Sequence, residues 1–401
     1  MKKALVLALT VLMVLSLATA AFAVEVEYSG KVGVKWSNEA VDGAEGKVDG
    51  FAKDSLEAKV VLDFTEDYGD GVTAGVKTKV EAHEDQTFVF DGGGWVQLER
   101  DLFTAKASTD IDGGVGKDLG EFGIAGAPGL GLDLNLIDGL TVNTIINAGS
   151  DYNYLVKGEY ADDLFSIGGG YQVSIKEFVD EDDVVLGNFN TSAIGVYGSV
   201  NPIEGLAINA EFGSRNLNTD DDDTDAATAI LASAAYDLDA LSAKAGLFIK
   251  SARFGAVTDA DDLDEEEWRI NEALRVLPAF LLAEKASDTV VFADASYQIS
   301  DDFAVNGWFD YLVGSKDTAG EAVEFDDDVD RVSYKVGAAY TLGDLTLDAY
   351  YKAWVDSKVG GKATYALADG VKASFEAGYL MPKDEDLDAN LVYTAKVVAE
   401  F

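Results

Sequence analysis

Apolar and polar residues alternate along most of this chain, in segments of about ten residues. In the first segment, 24–36, Val24, Val26 and Tyr28 share one face while Glu25 begins the other. Successive side chains of a strand point to opposite faces, so this period of two predicts strands with one apolar and one polar face. About ten residues is also the length that a tilted strand needs to cross a bilayer.

The same alternation recurs to the end of the chain and predicts about twenty strands, with sixteen to eighteen as the alternative. No helical pattern is available to cover so much apolar surface, so an all-β fold must hide its strand edges by closing on itself. We therefore predict a transmembrane, antiparallel, up-and-down β-barrel. Its other main segments are 56–64, 72–82, 103–108, 130–136, 140–148, 152–160, 165–173, 206–212, 241–249, 291–299, 303–313, 332–340, 345–355, 371–379 and 391–401.

Short turns and long acidic connections alternate between these segments. The short ones are rich in Asp and Gly, as tight hairpins require, and are expected on the periplasmic side. Tyr236, Tyr297 and Tyr340 each precede a short turn and are expected in an aromatic girdle. The predicted turns are 100–102, 137–139, 161–163, 237–239, 300–302, 342–344 and 368–370, and the acidic runs of the outer loops are 180–183, 220–225, 259–267, 326–330 and 384–388.

The first 23 residues have the pattern of a cleaved signal peptide. Lys2 and Lys3 precede an apolar run, which ends in the small-residue pattern 21–23. The mature barrel is then expected to span 24–401, in the outer membrane of a bacterium. The absence of cysteine is compatible with this location and does not select it.

Acidic residues outnumber basic ones by 73 to 30, which gives a formal net charge of −43. The signal peptide carries two lysines and no acid, so the mature charge is −43 − 2 = −45. Such a charge repels phosphates and excludes nucleic acid as a partner. It favours cations at the surface or, equally, reflects a salty habitat. No run has the spacing of a dedicated calcium loop, so no cofactor is predicted beyond loosely bound Ca²⁺ or Mg²⁺ on the acidic loops.

The last strand ends on an aromatic residue. Tyr393, Val397 and Phe401 share its apolar face with Ala395 and Ala399. This pattern resembles the carboxyl-terminal assembly signal of bacterial outer-membrane proteins. The resemblance implies that the barrel-assembly machinery reads this strand and that outer-membrane lipid surrounds the barrel.

The layout of the mature chain resembles that of the bacterial general porins. A long Gly-rich connection, 110–129, follows the fifth predicted strand, and its 120–123 stretch, Gly-Glu-Phe-Gly, resembles part of the porin loop that folds into the lumen, without the proline of that loop. The resemblance implies a water-filled channel for passive diffusion and a possible homotrimer. It also implies that 110–129 enters the lumen.

The candidate site residues are charges that would line the channel. The polar faces of the early strands carry lysines that either form a basic wall or only keep the lumen wet. Opposite them, an inward loop would present acids, and the two together would create a transverse field. The basic candidates are Lys31, Lys35, Lys59, Lys77, Lys79 and Lys106, and the acidic candidates of the constriction loop are Asp110, Asp112, Asp118 and Glu121.

Other functions receive less support from the sequence. The single histidine, His83, and the lack of a nucleophile motif predict no enzyme activity. The connection 253–288 has apolar residues at helical spacing and is expected to cap the barrel, plug the lumen or contact another subunit. The alternatives to a diffusion porin are an adhesive envelope protein that uses the acidic loops and a sugar-specific channel lined by Trp308, Phe248, Tyr350 and Trp354.

Overall fold

The computed structural model describes residues 25–37, 52–82, 88–117, 123–148, 151–179, 185–218, 227–251, 287–316, 331–353, 357–381 and 389–400. Twenty strands make up nearly all of this part. They are β1 Glu25–Ser37, β2 Ala52–Gly69, β3 Val72–Ala82, β4 Phe88–Arg100, β5 Phe103–Gly114, β6 Gly123–Ile137, β7 Leu140–Ala148, β8 Asp151–Ala161, β9 Phe165–Val179, β10 Val185–Ile203, β11 Leu206–Asn218, β12 Ala227–Leu238, β13 Leu241–Lys250, β14 Ser287–Ser300, β15 Phe303–Lys316, β16 Val332–Leu342, β17 Leu345–Ala353, β18 Ser357–Ala368, β19 Val371–Met381 and β20 Asn390–Glu400.

Each strand pairs antiparallel with the next one in sequence, and the last strand pairs with the first. The closing register runs from Lys31 opposite Glu400 to Ser37 opposite Thr394. The sheet is therefore an up-and-down barrel of twenty strands, which confirms the predicted fold class and strand number; the alternative of sixteen to eighteen strands is wrong. No helix in the described ranges is both long and apolar enough to cross a membrane.

The strands have two different faces, as the alternation predicts. On the outer face large apolar side chains are exposed, including Leu130 at 62%, Ile194 at 45% and Val336 at 55%. The inner face, which surrounds the lumen, carries mostly polar and small residues, and Gln172 and Glu211 are buried there. The inner positions follow one register around the barrel, so a face assigned on one strand fixes the face on its neighbours.

Short turns join the strands at one end of the barrel, here called the short-turn end. A carbonyl in each turn accepts a hydrogen bond from a backbone N–H of the following hairpin. Examples are Glu99 N to Gly71 O at 2.7 Å and Asp237 N to Gly205 O at 2.7 Å. The seven predicted turns are confirmed. The sequence interpretation missed two others, at 70–71 and 204–205.

The fifth and sixth strands are longer than predicted. The sequence interpretation ends the fifth strand at Ser108 and treats 110–129 as a loop, but β5 continues to Gly114 and β6 begins at Gly123. The two extensions pair with each other, with register shifts around Ile111. The interpretation of 110–114 and 123–129 as loop is wrong, because these residues lie in β5 and β6.

The turn glycines at 343 and 370 provide a matched test of turn geometry. Both have positive φ, at 59° and 71°. A methyl group at position 343 would meet nothing within 4 Å, whereas one at position 370 would collide with the Glu400 carbonyl oxygen. Gly343→Ala should therefore lose about 1 kcal/mol of unfolding free energy, the cost of the left-handed backbone alone. Gly370→Ala should lose about 2 kcal/mol or more, because overpacking adds to that cost.

Equilibrium denaturant unfolding of both variants in detergent would measure this difference. Equal losses would show that the contact with β20 does not constrain the turn.

Candidate pore constriction

The hairpin formed by β5 and β6 leaves the barrel wall partway along its length. Pairing of β4 with β5 ends at Trp95–Ser108, and pairing of β6 with β7 ends at Gly129–Asn147. Beyond these points, among the described strands, β5 and β6 pair only with each other. Register shifts in β5 accompany the departure, as expected where a strand bends sharply out of a sheet.

Two hydroxyl groups satisfy backbone groups at the point of departure. Gly94 N donates to Thr109 Oγ1 at 2.9 Å, and the same hydroxyl donates to the Gly94 carbonyl at 3.4 Å. Asp110 N donates to Ser108 Oγ at 3.1 Å. Because buried or lipid-exposed backbone groups are costly when unpaired, these side chains replace part of the ladder that β4 and β5 lose.

The end of the hairpin packs against the inner face of β7 to β11. Val115 is 0% exposed there. Asn147 Nδ2 donates to Ile111 O at 3.0 Å, and Lys117 N donates to Glu211 Oε1 at 2.7 Å. Lys157 Nζ donates to Gly116 O at 3.4 Å. The hairpin therefore folds into the lumen and is fixed to the inner face of the neighbouring strands, β7 to β11, by apolar contacts and polar bonds.

Glycines on the inner face and on the hairpin itself make this close approach possible. A Cβ atom at Gly195 would lie 2.5 Å from the Val115 carbonyl oxygen, and one at Gly113 would lie 2.6 Å from Ile145 Cδ1. At Gly170 a Cβ atom would lie 3.2 Å from Val115 Cγ1. Side chains at the first two positions would push the hairpin away from the wall.

The Tyr197 side chain contacts Glu159 and two lysines at the docked end of the hairpin. Its hydroxyl donates to Glu159 Oε2 at 2.8 Å. The Nζ atoms of Lys157 and Lys117 lie 4.9 Å and 5.9 Å from the centre of its ring. Cation–π contacts of this kind hold ammonium groups at the edge of the constriction.

An apolar cluster continues from the hairpin along the inner face of β12 to β15. Phe248, at 0% exposed, packs among Leu231, Val290 and Leu312. Phe248 is therefore enclosed, and the expectation that it lines a sugar track is wrong. At the same face, the Lys250 Nζ and Asp288 Oδ2 atoms form an ion pair at 3.2 Å with both side chains almost fully buried. Removing one partner of a buried pair typically costs about 3–5 kcal/mol.

The six candidate lysines occupy inner-face register positions on β1, β2, β3 and β5. Lys31 is opposite Lys59. Lys77 is opposite Asp63, and Lys106 is opposite Gln97. The remaining two pairs are Lys35 with Ser55 and Lys79 with Val61. Lys106 also contacts an aromatic ring, with its Nζ 5.5 Å from the centre of the Trp95 ring.

The acidic candidates are less completely described. Asp110 is exposed at the base of the hairpin, and Asp112 lies in β5. Asp118 and Glu121 lie outside the described residues, as do His83, Trp354, Phe401, the signal peptide, the five acidic runs and nearly all of 253–288. Tyr393 and Val397 occupy outer-face positions of β20, opposite Ala377 and Ala373. Within the described ranges no group of three or more potential ligand side chains could hold a metal ion.

Sequence reasoning missed the residues that receive the hairpin, namely Lys157, Tyr197 and Glu211. One signal could have found them. A glycine inside a strand often marks the close approach of another backbone. Three consecutive glycines, 168–170, lie in β9, and Gly170 pairs with Gly195 of β10.

Comparison with solved structures identifies bacterial outer-membrane proteins of similar fold. Pseudomonas aeruginosa OpdQ is 9% identical with a TM-score of 0.49, over 94% of this chain and 97% of that one. A mutant of the Rh. blastica porin is 13% identical with a TM-score of 0.41, over 94% and 100%. Vibrio cholerae OmpT, in a trimer form, is 8% identical with a TM-score of 0.42, over 94% and 99%. No family model and no curated protein sequence matches the chain.

Cysteine labelling can test the position of the hairpin, because the native chain has no cysteine. Val115→Cys should react slowly with a water-soluble maleimide, since Val115 is buried against the inner wall, whereas Asp110→Cys at the base of the same hairpin should react fast. Both should react fast after denaturation. Equal rates in the folded barrel would contradict docking of the hairpin.

Proposed function

We propose that this chain forms a water-filled channel across the bacterial outer membrane, through which ions and small hydrophilic solutes diffuse passively. One observation carries the proposal: a closed barrel exposes large apolar side chains outward and keeps its polar side chains inward. Closed barrels satisfy all of their backbone groups within the sheet, so they can face lipid. A polar interior has no such use in a soluble protein of this size.

Aromatic residues at the short-turn end support the membrane location. Tyr297 and Tyr340 are exposed on the outer face close to their turns. Tyr160 and Phe165 pack together there, with ring centroids 5.6 Å apart. Aromatic side chains prefer the boundary between lipid and water, so this end corresponds to one interface of the membrane. We assign it to the periplasm, because short turns are typical of that side.

We further propose that the six lysines of β1 to β5 form a basic wall and that the hairpin carries the opposing acids Asp110, Asp112, Asp118 and Glu121. The order of the strands supports this arrangement for the two lysines of β1, Lys31 and Lys35. The hairpin docks on β7 to β11, and in a closed sheet of twenty strands β11 is opposite β1. An acidic hairpin and a basic wall on opposite sides would produce a transverse field across the constriction.

Export, assembly and association complete the proposal. Residues 1–23 would direct export, and the outer-face pattern Tyr393, Val397 and Phe401 would be recognised by the barrel-assembly machinery. Outer-membrane lipid surrounds the barrel, and a homotrimer remains a prediction. Of the sugar-track residues, Phe248 is enclosed and Tyr350 is bonded to Glu376, so no observation favours a sugar-specific channel over general diffusion.

Reconstitution into planar bilayers tests the main proposal. Purified protein should produce stepwise increases in conductance at nanomolar concentration, because each inserted barrel adds one aqueous path. Heat-denatured protein from the same preparation is the control. A membrane that stays closed after verified insertion would remove the channel proposal.

Substitution at Gly195 tests the constriction. Gly195→Ala places a methyl group against the Val115 carbonyl and should displace the hairpin, so single-channel conductance should change by a factor of about two or become unstable. Gly158→Ala is the matched control, because a Cβ atom at this outer-face position of β8 would have no neighbour closer than 4.0 Å. Identical single-channel currents from both variants would show that the hairpin does not limit the path.

A further inference from the structure

Three lysines lie side by side on the inner face of β16, β17 and β18. Lys335 is directly opposite Lys352, and Lys352 is directly opposite Lys358. Directly paired residues have Cβ atoms about 5 Å apart, and like charges in such positions destabilise a sheet. We call these three residues the lysine row. The lysine row therefore concentrates positive charge in one part of the wall, with Glu376 paired to Lys358 at 3.2 Å.

The lysine row lies in a part of the wall where the charge of the chain is reversed. Acids outnumber bases by 73 to 30 in the whole sequence. On the inner face of β16 to β20 the described register gives six lysines against three acids. These are Lys335, Lys352, Lys358, Lys362, Lys372 and Lys396 against Asp348, Glu376 and Glu400.

A network of side chains on the short-turn side of the lysine row holds two of its members in position. Glu376 Oε1 accepts a hydrogen bond from the Tyr350 hydroxyl and lies 3.2 Å from Lys358 Nζ. Lys335 Nζ lies 5.1 Å from the centre of the Tyr350 ring. Glu376 therefore holds Lys358 in place, and the Tyr350 ring holds Lys335. Lys352 lies between these two lysines in the row.

Glycines let this network lie flat against the wall. A Cβ atom at Gly360 would be 2.7 Å from the Tyr350 hydroxyl oxygen. One at Gly378 would be 2.5 Å from Lys358 Cε. Without side chains at these two positions, the ring and the lysine stem rest on backbone, and 20% of the Lys358 side chain remains exposed.

We propose that the lysine row binds a polyvalent oxyanion, such as sulfate, phosphate or the phosphate group of a solute. Each ammonium group carries three N–H donors, of which Lys358 uses one on Glu376, and a tetrahedral oxyanion offers acceptors in several directions. A divalent anion also neutralises more of the row than chloride does. This inference names a solute class for the proposed channel and rests on that function, although the binding itself does not require transport.

Sulfate block of chloride current tests the site. In low salt, where screening is weakest, added sulfate should reduce single-channel current in the wild type at a half-blocking concentration well below that of the chloride present. In Lys352→Gln that concentration should rise about tenfold, the effect of one lost charge-assisted contact. Lys352→Arg, which keeps the charge, should retain most of the block.

Lys244→Gln is the matched control, because Lys244 is an inner-face lysine on β13, outside the row. Its half-blocking concentration should stay within about twofold of the wild type, whereas an equal rise in both Gln variants would show that only the mean charge of the lumen matters and would overturn the site. Calorimetric titration of sulfate into the detergent-solubilised barrel separates binding from conduction. Sulfate binding that is lost in Lys352→Gln supports the site even if no variant conducts, and absence of binding in the wild type overturns it.

Discussion

The pairing of β1 with β20 is the constraint on which the rest of this structure depends. Seven residue pairs, from Lys31–Glu400 to Ser37–Thr394, join the two ends of the sheet. Without them two strand edges would face the surrounding medium, and in lipid each unpaired backbone group costs several kcal/mol. Closure also fixes every face at once. A slip of one residue at the seam would move the lysines of β1 from the lumen to the lipid.

At the hairpin of β5 and β6, two strands leave this closed ladder and enter the lumen. Residues 88–94 of β4 pair with β3 alone among the described strands, so part of an edge is left open. The hydroxyls of Ser108 and Thr109 satisfy the first groups, and Val115 and Ile111 gain apolar contacts inside the lumen. Burial of two such side chains contributes about 3–6 kcal/mol, comparable with several lost ladder bonds. The departure is therefore sustainable only because the inner face of β7 to β11 receives the hairpin.

The sequence predicts most of the barrel and little of this docking. A period of two needs only local information, so strands such as β7, predicted at 140–148, are found with the same bounds. Turn chemistry is equally local. The position at which the hairpin docks depends on contacts between Val115 and Gly195, which are 80 residues apart in the sequence. It also depends on glycines, whose presence in a sequence is compatible with either a loop or a strand. The lysine row was missed for a related reason, because Lys335, Lys352 and Lys358 become neighbours only when two turn lengths and two registers are combined.

The size of the barrel determines which of its charges can act together. Twenty strands spaced about 4.8 Å apart and tilted give a diameter of roughly 30–40 Å, several times the Debye length of about 8 Å at physiological ionic strength. Charges on opposite walls are therefore screened from one another across an empty lumen. Neighbours in the lysine row are within one Debye length and act as a unit. A transverse field consequently requires an element that extends from one wall into the lumen, and the hairpin fixed by Lys117 and Glu211 is a described element of this kind.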